Sequence, residues 1–359
     1  MTEKEVFTNY IGENIDRLVT LDLKASGGIH HLYSAARALY NAPICLLAAR
    51  KIKECVKKND VVLITTGAVV SPAGLGETDG PLGAAALARI LSLGLEAKVI
   101  ILTEEILLEI VKAACRGAEL NILKFSDLTK RGEFDLGKMS IFPVPDIGKV
   151  SVLPFPLREE EAERETEHLL SSLKPKLLIA VEKTGPNDLG IYHSYGLDFS
   201  AYHIKIGPLF SKAKQNGIMT IGVGDRGNEV GLGTIKDAAR KVHPYGANCR
   251  CPCNSGAANS TVVDIVVPAA VSNWGAYGIE TCLGILLERI DLIHDENMEV
   301  RMLNLSINAG AVDGMTGLCQ PAVDGFSEDI QVCIAGMLRT VSRSKFTVSQ
   351  ERVELYRIP

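Results

Sequence analysis

Aromatic residues and excess positive charge are both scarce in this 359-residue chain. Aromatic side chains make up 5% of the sequence and include a single tryptophan, so platforms that stack single-stranded nucleic acids are not expected. The formal net charge is −5, whereas a nucleic-acid-binding domain usually presents a basic face. The composition therefore predicts that the chain has no nucleic-acid partner.

Long hydrophobic runs are missing as well. The nearest candidate for a membrane span, residues 265–279, is interrupted by Pro268 and by polar residues. A transmembrane helix needs about 20 predominantly apolar residues. Residues 1–16 are polar and lack both the apolar core of a signal peptide and the arginine-rich character of a transit peptide. We therefore expect no membrane partner and a cytoplasmic location.

Common catalytic and metal-binding signatures are also absent, since the chain has no P-loop and no G-x-S-x-G motif. Its nine cysteines are mostly scattered, which is typical of reduced thiols in a cytosolic protein. Cys249, Cys251 and Cys253 form a cluster that lacks the paired C-x-x-C spacing of structural zinc sites. Two interpretations stay open for them: packing in a Gly/Pro-rich loop, or a soft-metal site with His243 as an added ligand.

The chain does contain alternating strand-like and helix-like segments. Three apolar runs, 61–64, 177–181 and 219–223, have the composition of buried parallel strands. Pro81 suits the first turn of a helix that leads to a further strand at 98–102, which completes a βαβ unit. The alternation predicts an α/β fold with layers of helices around a largely parallel β-sheet.

The same pattern predicts one large domain. Residues 1–20 are expected to form a helical lead-in, 21–345 a single α/β domain, and 346–359 a C-terminal tail. Two Pro-x-Pro elements within 132–156 indicate a loop or short edge strand and a candidate subdomain border. Further predictions place helical spacing over 32–56, a helix at 159–173, and strands at 121–125 and 261–268.

An acidic loop follows each of the three clearest strands, at Gly76–Pro81, Glu182–Asp188 and Gly224–Glu229. In open α/β sheets, ligands bind outside the carboxyl ends of the strands, so these loops predict one crowded carboxylate site. Crowded like charges need a cation. Ligands that offer only oxygen atoms suit Mg²⁺ or Mn²⁺ better than Zn²⁺.

Four carboxylates are the predicted metal ligands: Glu77, Asp79, Asp225 and Glu229. For any single one of them, capping of a turn or helix is the more common role, and only their coincidence favours a site. Residues 222–227 also match G-x-G-x-x-G. Asp225 and Glu229 would put negative charge where a nucleotide's phosphates lie, so the match is weak evidence for a nucleotide cofactor.

Five motifs together resemble the D-glutamate cyclase-like family. They are E-T-D-G-P-x-G-A from Glu77, E-K-T-G from Glu182, G-D-x-G-N-E-x-G-x-G from Gly224, S-N-W-G from Ser272 and V-D-G-x-T-G from Val312. The resemblance runs in order from about Leu21 to Arg339.

This resemblance implies a lyase that converts D-glutamate to 5-oxo-D-proline and water and depends on Mg²⁺ or Mn²⁺. Glu182 is then a metal ligand or catalytic base, and Asp313 a catalytic group that orients the amine. Asn228 and Asn273 would bind the substrate carboxylate through their amide N–H groups. Of the histidines, His193 is the best candidate for a substrate contact or acid–base chemistry, although an ordinary surface or hydrogen-bonded role is the more common one for such a residue. Arg226 stands where the family motif commonly has glycine, and either contacts an anionic substrate or lies in solvent.

Two other functions remain open at this point. One is a metal-dependent phosphatase that uses the same carboxylates, and the other is a non-catalytic protein that binds a metal or a small acid. The expected partner is a small anionic substrate, D-glutamate or a related acid, and a homo-oligomer stays an open alternative.

Overall fold

A computed structural model of the chain describes residues 2–70, 74–129 and 148–344. Within these ranges the strands are β1 (Val61–Thr66), β2 (Lys98–Thr103), β3 (Asn121–Ile122), β4 (Lys149–Pro154), β5 (Leu177–Val181), β6 (His193–Ser194), β7 (Leu197–Asp198), β8 (Met219–Gly224), β9 (Ile265–Pro268), β10 (Ala322–Val323) and β11 (Phe326–Ser327). Seven of them form one parallel sheet in the order β3-β4-β2-β1-β5-β8-β9, and the other four form two antiparallel hairpins.

Helices surround this sheet. In the described residues they are α1 (Glu3–Val19), α2 (Gly28–Tyr40), α3 (Ile44–Cys55), α4 (Pro81–Gly94), α5 (Leu108–Gly117), α6 (Phe125–Thr129), α7 (Glu159–Leu173), α8 (Gly207–Gln215), α9 (Lys236–Val242), α10 (Ser272–Leu287), α11 (Glu296–Asn308) and α12 (Glu328–Ser342). Helix α10 is the centre of one layer and packs against α1, α3, α4 and α12. Because helices cover the sheet, β5 is buried at every position.

The strand order changes direction between β1 and β5. From β1 the chain builds outwards through β2 to β3 and β4, and it then crosses to the other side of β1 to form β5, β8 and β9. The carboxyl ends of β1 and β5 therefore flank the topological switch point, where open α/β sheets form their ligand crevice.

The predicted α/β fold with a parallel sheet is confirmed, and so are the start of α4 at Pro81 and the bounds of α7. The helical spacing over 32–56 belongs to two helices, because Asn41 adopts a left-handed conformation at φ 48° and Pro43 starts the next helix. The strand predicted at 121–125 has only two residues, and Phe125 begins α6 instead. The strand predicted at 261–268 begins only at Ile265.

The second Pro-x-Pro element, predicted as a loop or short edge strand, begins instead at the last residue of a strand that is paired on both sides. Strand β4 has six residues and pairs with β2 along five of them, while β3 covers the first two on its other side. A proline at the end of the strand is compatible with this pairing. The proposed border at 132–156 lies largely outside the described residues, as does the tail at 346–359. The lead-in is helix α1, which packs on α10 and α12. Across the described ranges no helix has the length and apolar character needed to cross a membrane.

Candidate metal centre and active site

Carboxylates from distant parts of the chain meet at the switch point. Glu182 directly follows β5, Asp225 directly follows β8, and Asp79 lies just before α4. Oxygen atoms of Asp79, Asp225 and Asp324 all lie within 4.8 Å of one another, and so do those of Glu182, Asp225 and Glu229. Asp225 belongs to both triads, which places it at the centre of one acidic cluster.

Two oxygen atoms of this cluster are buried and have no hydrogen-bond partner among the described residues: Oδ1 of Asp225 and Oε1 of Glu229. The other oxygen of Glu229 accepts a hydrogen bond from the backbone N–H of Gly227 at 2.8 Å, so that carboxylate is fixed in place. A buried, unpartnered carboxylate oxygen is costly unless a cation meets it. These oxygens fit a hard divalent cation, and the donor set contains no nitrogen or sulfur.

The neighbouring cation among the described side chains is Arg226, which bridges two members of the cluster. Its Nε lies 3.3 Å from Oδ2 of Asp225, and its Nη2 lies 2.7 Å from Oδ2 of Asp324. One guanidinium cannot neutralise five carboxylates. The excess of negative charge therefore persists after this ion pair is counted.

The pKa values of the cluster reflect this excess. Burial and the nearby Asp324 raise the pKa of Asp79 to about 8. Burial, with Asp225 and Glu229 close by, raises the pKa of Glu182 well above its usual range. Burial also raises the pKa values of Asp225 and Glu229, although Arg226 opposes both shifts. Desolvation and like charge both favour the protonated forms, and a bound cation would reverse that preference.

Glu182 is held in an unusual conformation. Its backbone lies in the left-handed region at φ 44°, which a non-glycine residue rarely adopts without a constraint. Its Oε2 accepts a hydrogen bond from the hydroxyl of Ser272 at 2.5 Å. This bond holds the carboxylate, which lies in the triad with Asp225 and Glu229.

Asp79 and Asn273 cap each other's helices. The carboxylate of Asp79, just before α4, accepts hydrogen bonds from the backbone N–H groups of Ser272 and Asn273 at 3.0 and 2.8 Å, in the first turn of α10. The side-chain oxygen of Asn273, in α10, accepts from the backbone N–H groups of Gly80 and Gly83 at 2.9 and 2.8 Å, at the start of α4. The start of α10 therefore depends on Asp79, and the start of α4 depends on Asn273.

Asn273 was predicted to bind substrate. It is fully buried, and its Nδ2 donates to the carbonyl of Thr78 at 3.1 Å. These contacts give Asn273 a structural role in holding the acidic loop, and a substrate contact stays a prediction.

Asp313 has a similar structural role. One carboxylate oxygen accepts from both the backbone N–H and the hydroxyl of Thr316, and the other accepts from the N–H of Gly325 at 2.7 Å. The adjacent Gly314 leaves room for Glu77, because a Cβ there would lie 2.1 Å from Oε2 of Glu77. Asp313 therefore positions two loops around the cluster, and the catalytic role predicted for it stays untested.

An open cleft of about 120 Å³ lies above the acidic cluster. Polar residues on its walls include Glu77, Glu182, Arg226, Asn228, Glu229 and Asp324. Aromatic side chains at 195 and 245 line another side, and the hydroxyl of Tyr195 donates to the carbonyl of Gly314 at 2.7 Å. The volume and the charged walls suit a small polar substrate rather than a large apolar ligand.

Of the ten predicted site residues, Asp79, Glu182, Asp225 and Glu229 lie in the two triads, and Glu77, Arg226 and Asn228 line the cleft. Glu77 lies outside both triads, and its pKa is raised well above the usual range by burial and by Asp324. Their assignment as metal ligands or substrate contacts stays a prediction.

The imidazole of His193 belongs to the cysteine group and not to the two carboxylate triads. Its Nε2 lies 3.3 Å from the sulfur of Cys251, and its backbone carbonyl accepts from Nδ2 of Asn228 at 3.3 Å. The histidine that joins the cysteine cluster is therefore His193. His243, which the sequence suggested for that place, instead accepts a hydrogen bond at Nδ1 from the backbone N–H of Tyr245 at 3.0 Å.

Sequence reasoning missed Asp324 and the role of Ser272. Asp324 and Gly325 are the two turn residues of the β10–β11 hairpin and have φ angles of 55° and 77°. An Asp-Gly pair between apolar residues is a strong hairpin signal, and this turn points its carboxylate into the cluster. That signal was available in the sequence, whereas the contact with Asp225 depends on tertiary structure.

Comparison with known proteins identifies the family of the chain. Residues 15–338 match the family described as D-glutamate cyclase-like, C-terminal. The chain belongs to that family. It is also 35% identical over 111 residues to the human D-glutamate cyclase, mitochondrial. That match covers 30% of this chain and 17% of the human protein, so the D-glutamate cyclase-like chain spans only a small part of that relative.

Proposed function

We propose that the protein is a divalent-metal-dependent lyase that cyclises D-glutamate to 5-oxo-D-proline with release of water. The observation that carries the proposal is the buried excess of carboxylates, with two unpartnered oxygens, beneath a small polar cleft. Membership of the D-glutamate cyclase-like family supports the choice of substrate. A small acidic partner also suits the single arginine that lines the cleft.

The reaction forms one C–N bond and breaks one C–O bond. The α-amine attacks the γ-carboxylate carbon, and one carboxylate oxygen departs. The ammonium group loses two protons, both of which end on the departing oxygen as water. The protein must therefore hold the substrate folded, remove a proton from nitrogen and deliver protons to oxygen.

The two triads supply the metal site in this proposal. Asp79, Asp225 and Asp324, with Glu182 and Glu229, are the side chains that would hold Mg²⁺ or Mn²⁺. Such an ion, when bound, supplies a Lewis acid that polarises the carboxylate and stabilises negative charge on oxygen.

Glu182 is the proposed base and proton carrier. Burial and neighbouring carboxylates raise the pKa of Glu182, which makes this carboxylate a stronger proton acceptor than an ordinary glutamate. The hydroxyl of Ser272 fixes the side chain during this exchange. Arg226 and Asn228 are the proposed contacts for the α-carboxylate, because both line the cleft with N–H donors.

The test is an assay of 5-oxoproline formation from D- and L-glutamate, with and without added Mn²⁺ or Mg²⁺, beside a phosphate-ester assay. We expect cyclisation of the D form alone, and only with the cation. Phosphate release would instead identify a metal-dependent phosphatase. No activity in either assay, together with cation binding measured by calorimetry, would identify a non-catalytic binding protein.

Asp225→Asn gives the matched test of the site. Loss of the carboxylate shared by both triads should lower turnover at least about 100-fold, since even outer residues of metal sites cost 10–100-fold. Asp188→Asn is the control, because Asp188 lies in the second acidic loop but pairs with Lys236 and Arg240 on the surface. Full metal-dependent activity in a folded Asp225→Asn variant would remove the proposal.

A further inference from the structure

A second group of metal-ligand side chains lies apart from the acidic cluster. His193, Cys249, Cys251 and Cys253 each offer a ligand atom within 4.8 Å of the others. The three sulfur–sulfur distances are 3.5, 3.2 and 3.1 Å. Nε2 of His193 lies 3.3 Å from the sulfur of Cys251 and 3.9 Å from that of Cys253.

These distances are close to those of a tetrahedral site. Zn–S bonds of about 2.3 Å and tetrahedral angles separate two sulfurs by about 3.8 Å, and a Zn–N bond of about 2.0–2.1 Å puts nitrogen about 3.6 Å from sulfur. The observed sulfur–nitrogen distances bracket that value, and the sulfurs lie slightly closer. A disulfide needs about 2.05 Å, so the three thiols are unbonded.

The fold brings these ligands together from two segments of the chain. The three cysteines alternate along a loop that turns back through a hydrogen bond from the N–H of Asn254 to the carbonyl of Cys251, at 3.2 Å. His193 comes from the β6–β7 hairpin, 56 or more residues earlier in the chain. Its ring is 1% exposed, and Cys251 is also buried. Four protein ligands of the sulfur and imidazole type, with no coordination position left open, are typical of structural zinc.

A surrounding side chain supports the sulfur ligands. Nδ2 of Asn187 lies 3.8 Å from the sulfur of Cys253 and donates to the carbonyl of Gly256 at 2.8 Å. Asn187 belongs to the loop that follows β5, so it joins the cysteine loop to the acidic side of the sheet. Hydrogen bonds to the ligands of a metal orient those ligands.

We propose that His193, Cys249, Cys251 and Cys253 form a structural zinc site that fixes one wall of the cleft. The site joins the hairpin that carries Tyr195 to the loop that follows Tyr245, and both tyrosines line the cleft. The N–H of Arg250 also donates to the carbonyl of Gly196 at 2.7 Å, between the same two segments. The zinc cross-links this Gly- and Pro-containing loop to the β6–β7 hairpin.

The first experiment uses the unchanged protein. Elemental analysis of the purified chain should find one zinc per chain, and zinc X-ray absorption should show three sulfur neighbours and one nitrogen neighbour. A zinc coordinated by oxygens, or a chain that holds no zinc after exposure to it, would overturn the proposal without any need for a variant.

Variants then identify the ligands. Cys253→Ser should lower the affinity for zinc at least tenfold, while Cys333→Ser, an exposed cysteine outside the group, should keep one zinc per chain. His193→Cys should retain zinc with four sulfur neighbours, since cysteine also ligates zinc. Retention of native zinc coordination by Cys253→Ser would contradict the assignment.

The zinc-site proposal and the proposed function can be refuted independently of each other. Asp225→Asn should keep its zinc whether or not it is active, because Asp225 contributes no atom to the cysteine group. If Asp225→Asn loses the zinc and Cys253→Ser keeps it, the metal belongs to the acidic cluster and the structural zinc site is wrong.

Discussion

Glu182 and Lys183 are neighbours in the chain but belong to two buried groups of opposite character. Lys183 is fully buried, and its Nζ lies 2.5 and 2.6 Å from the oxygens of Glu104 and 2.5 Å from the carbonyl of Gly67. Glu104 also accepts from the N–H of Ile204 at 3.1 Å. In this balanced pair the charges and hydrogen bonds compensate one another.

Glu182 faces the acidic cluster, where compensation is incomplete. Burial would raise the pKa of Glu104, but Lys183 holds it at about 2, whereas burial and like charges raise the pKa of Asp79 to about 8. The balanced pair thus has the properties of a structural connection between the ends of β1, β2 and β5. The acidic cluster carries uncompensated negative charge, a property that is typical of functional sites.

The largest effect should come from breaking the balanced pair. Lys183→Met leaves the buried Glu104 without its ammonium partner, although the N–H of Ile204 and the imidazole of His203 stay close. We therefore expect a loss of about 3–5 kcal/mol in the free energy of unfolding. Urea denaturation measures it. The double variant Lys183→Met/Glu104→Leu should recover most of the loss. Lys51→Met is the control, since its partner Glu54 is exposed and the loss should stay below about 1 kcal/mol. Equal losses for both lysines would contradict the comparison.

The next effect is a pH dependence that belongs to the acidic cluster. The folded chain keeps a proton on Asp79 up to about pH 8, while the unfolded chain releases it near pH 4. The unfolding free energy should therefore fall as pH rises between these values, by about 1.4 kcal/mol per pH unit for each such proton. Glu104 does not change the free energy of unfolding over this range, because its pKa is lowered to about 2 and it is ionised in both the folded and the unfolded chain above about pH 5.

Divalent cations give the control for this prediction. Mn²⁺ or Mg²⁺ should displace the protons and raise the stability most at the high-pH end of the range. Urea unfolding from pH 5 to 8, in buffer cleared of divalent cations and again with added Mn²⁺, measures both slopes. Parallel slopes in the two series would show that the cluster takes no cation.

The smallest effect concerns Arg226, which bridges Asp225 and Asp324. Arg226→Gln removes this cation, so the cation-free protein should lose about 1 kcal/mol, a value limited by the partial exposure of the side chain. Affinity for Mn²⁺ should rise, because the competing positive charge is gone. Calorimetric titration measures the affinity, and a weaker affinity for Mn²⁺ would show that Arg226 supports the metal site instead.

The sequence predicted the parts of the fold that local patterns determine. Strongly apolar β5 and the Pro81 helix start were clear, because composition and capping act over a few residues. Strand β4 was missed in part because its prolines suggested an edge, although β2 pairs along it. The acidic loops could be located, but the contact of Asp324 with Asp225 joins residues 99 positions apart and arises only in the folded chain.

The reciprocal caps of α4 and α10 have a practical consequence. Asp79 belongs to the acidic cluster and also caps the first turn of α10. A ligand that binds its carboxylate therefore also stabilises the packing of two central helices. Occupancy of the site should thus register as a higher melting temperature of the whole protein. A simple dye-based thermal scan of small acids and metal salts can then screen for natural ligands without any prior assay of turnover.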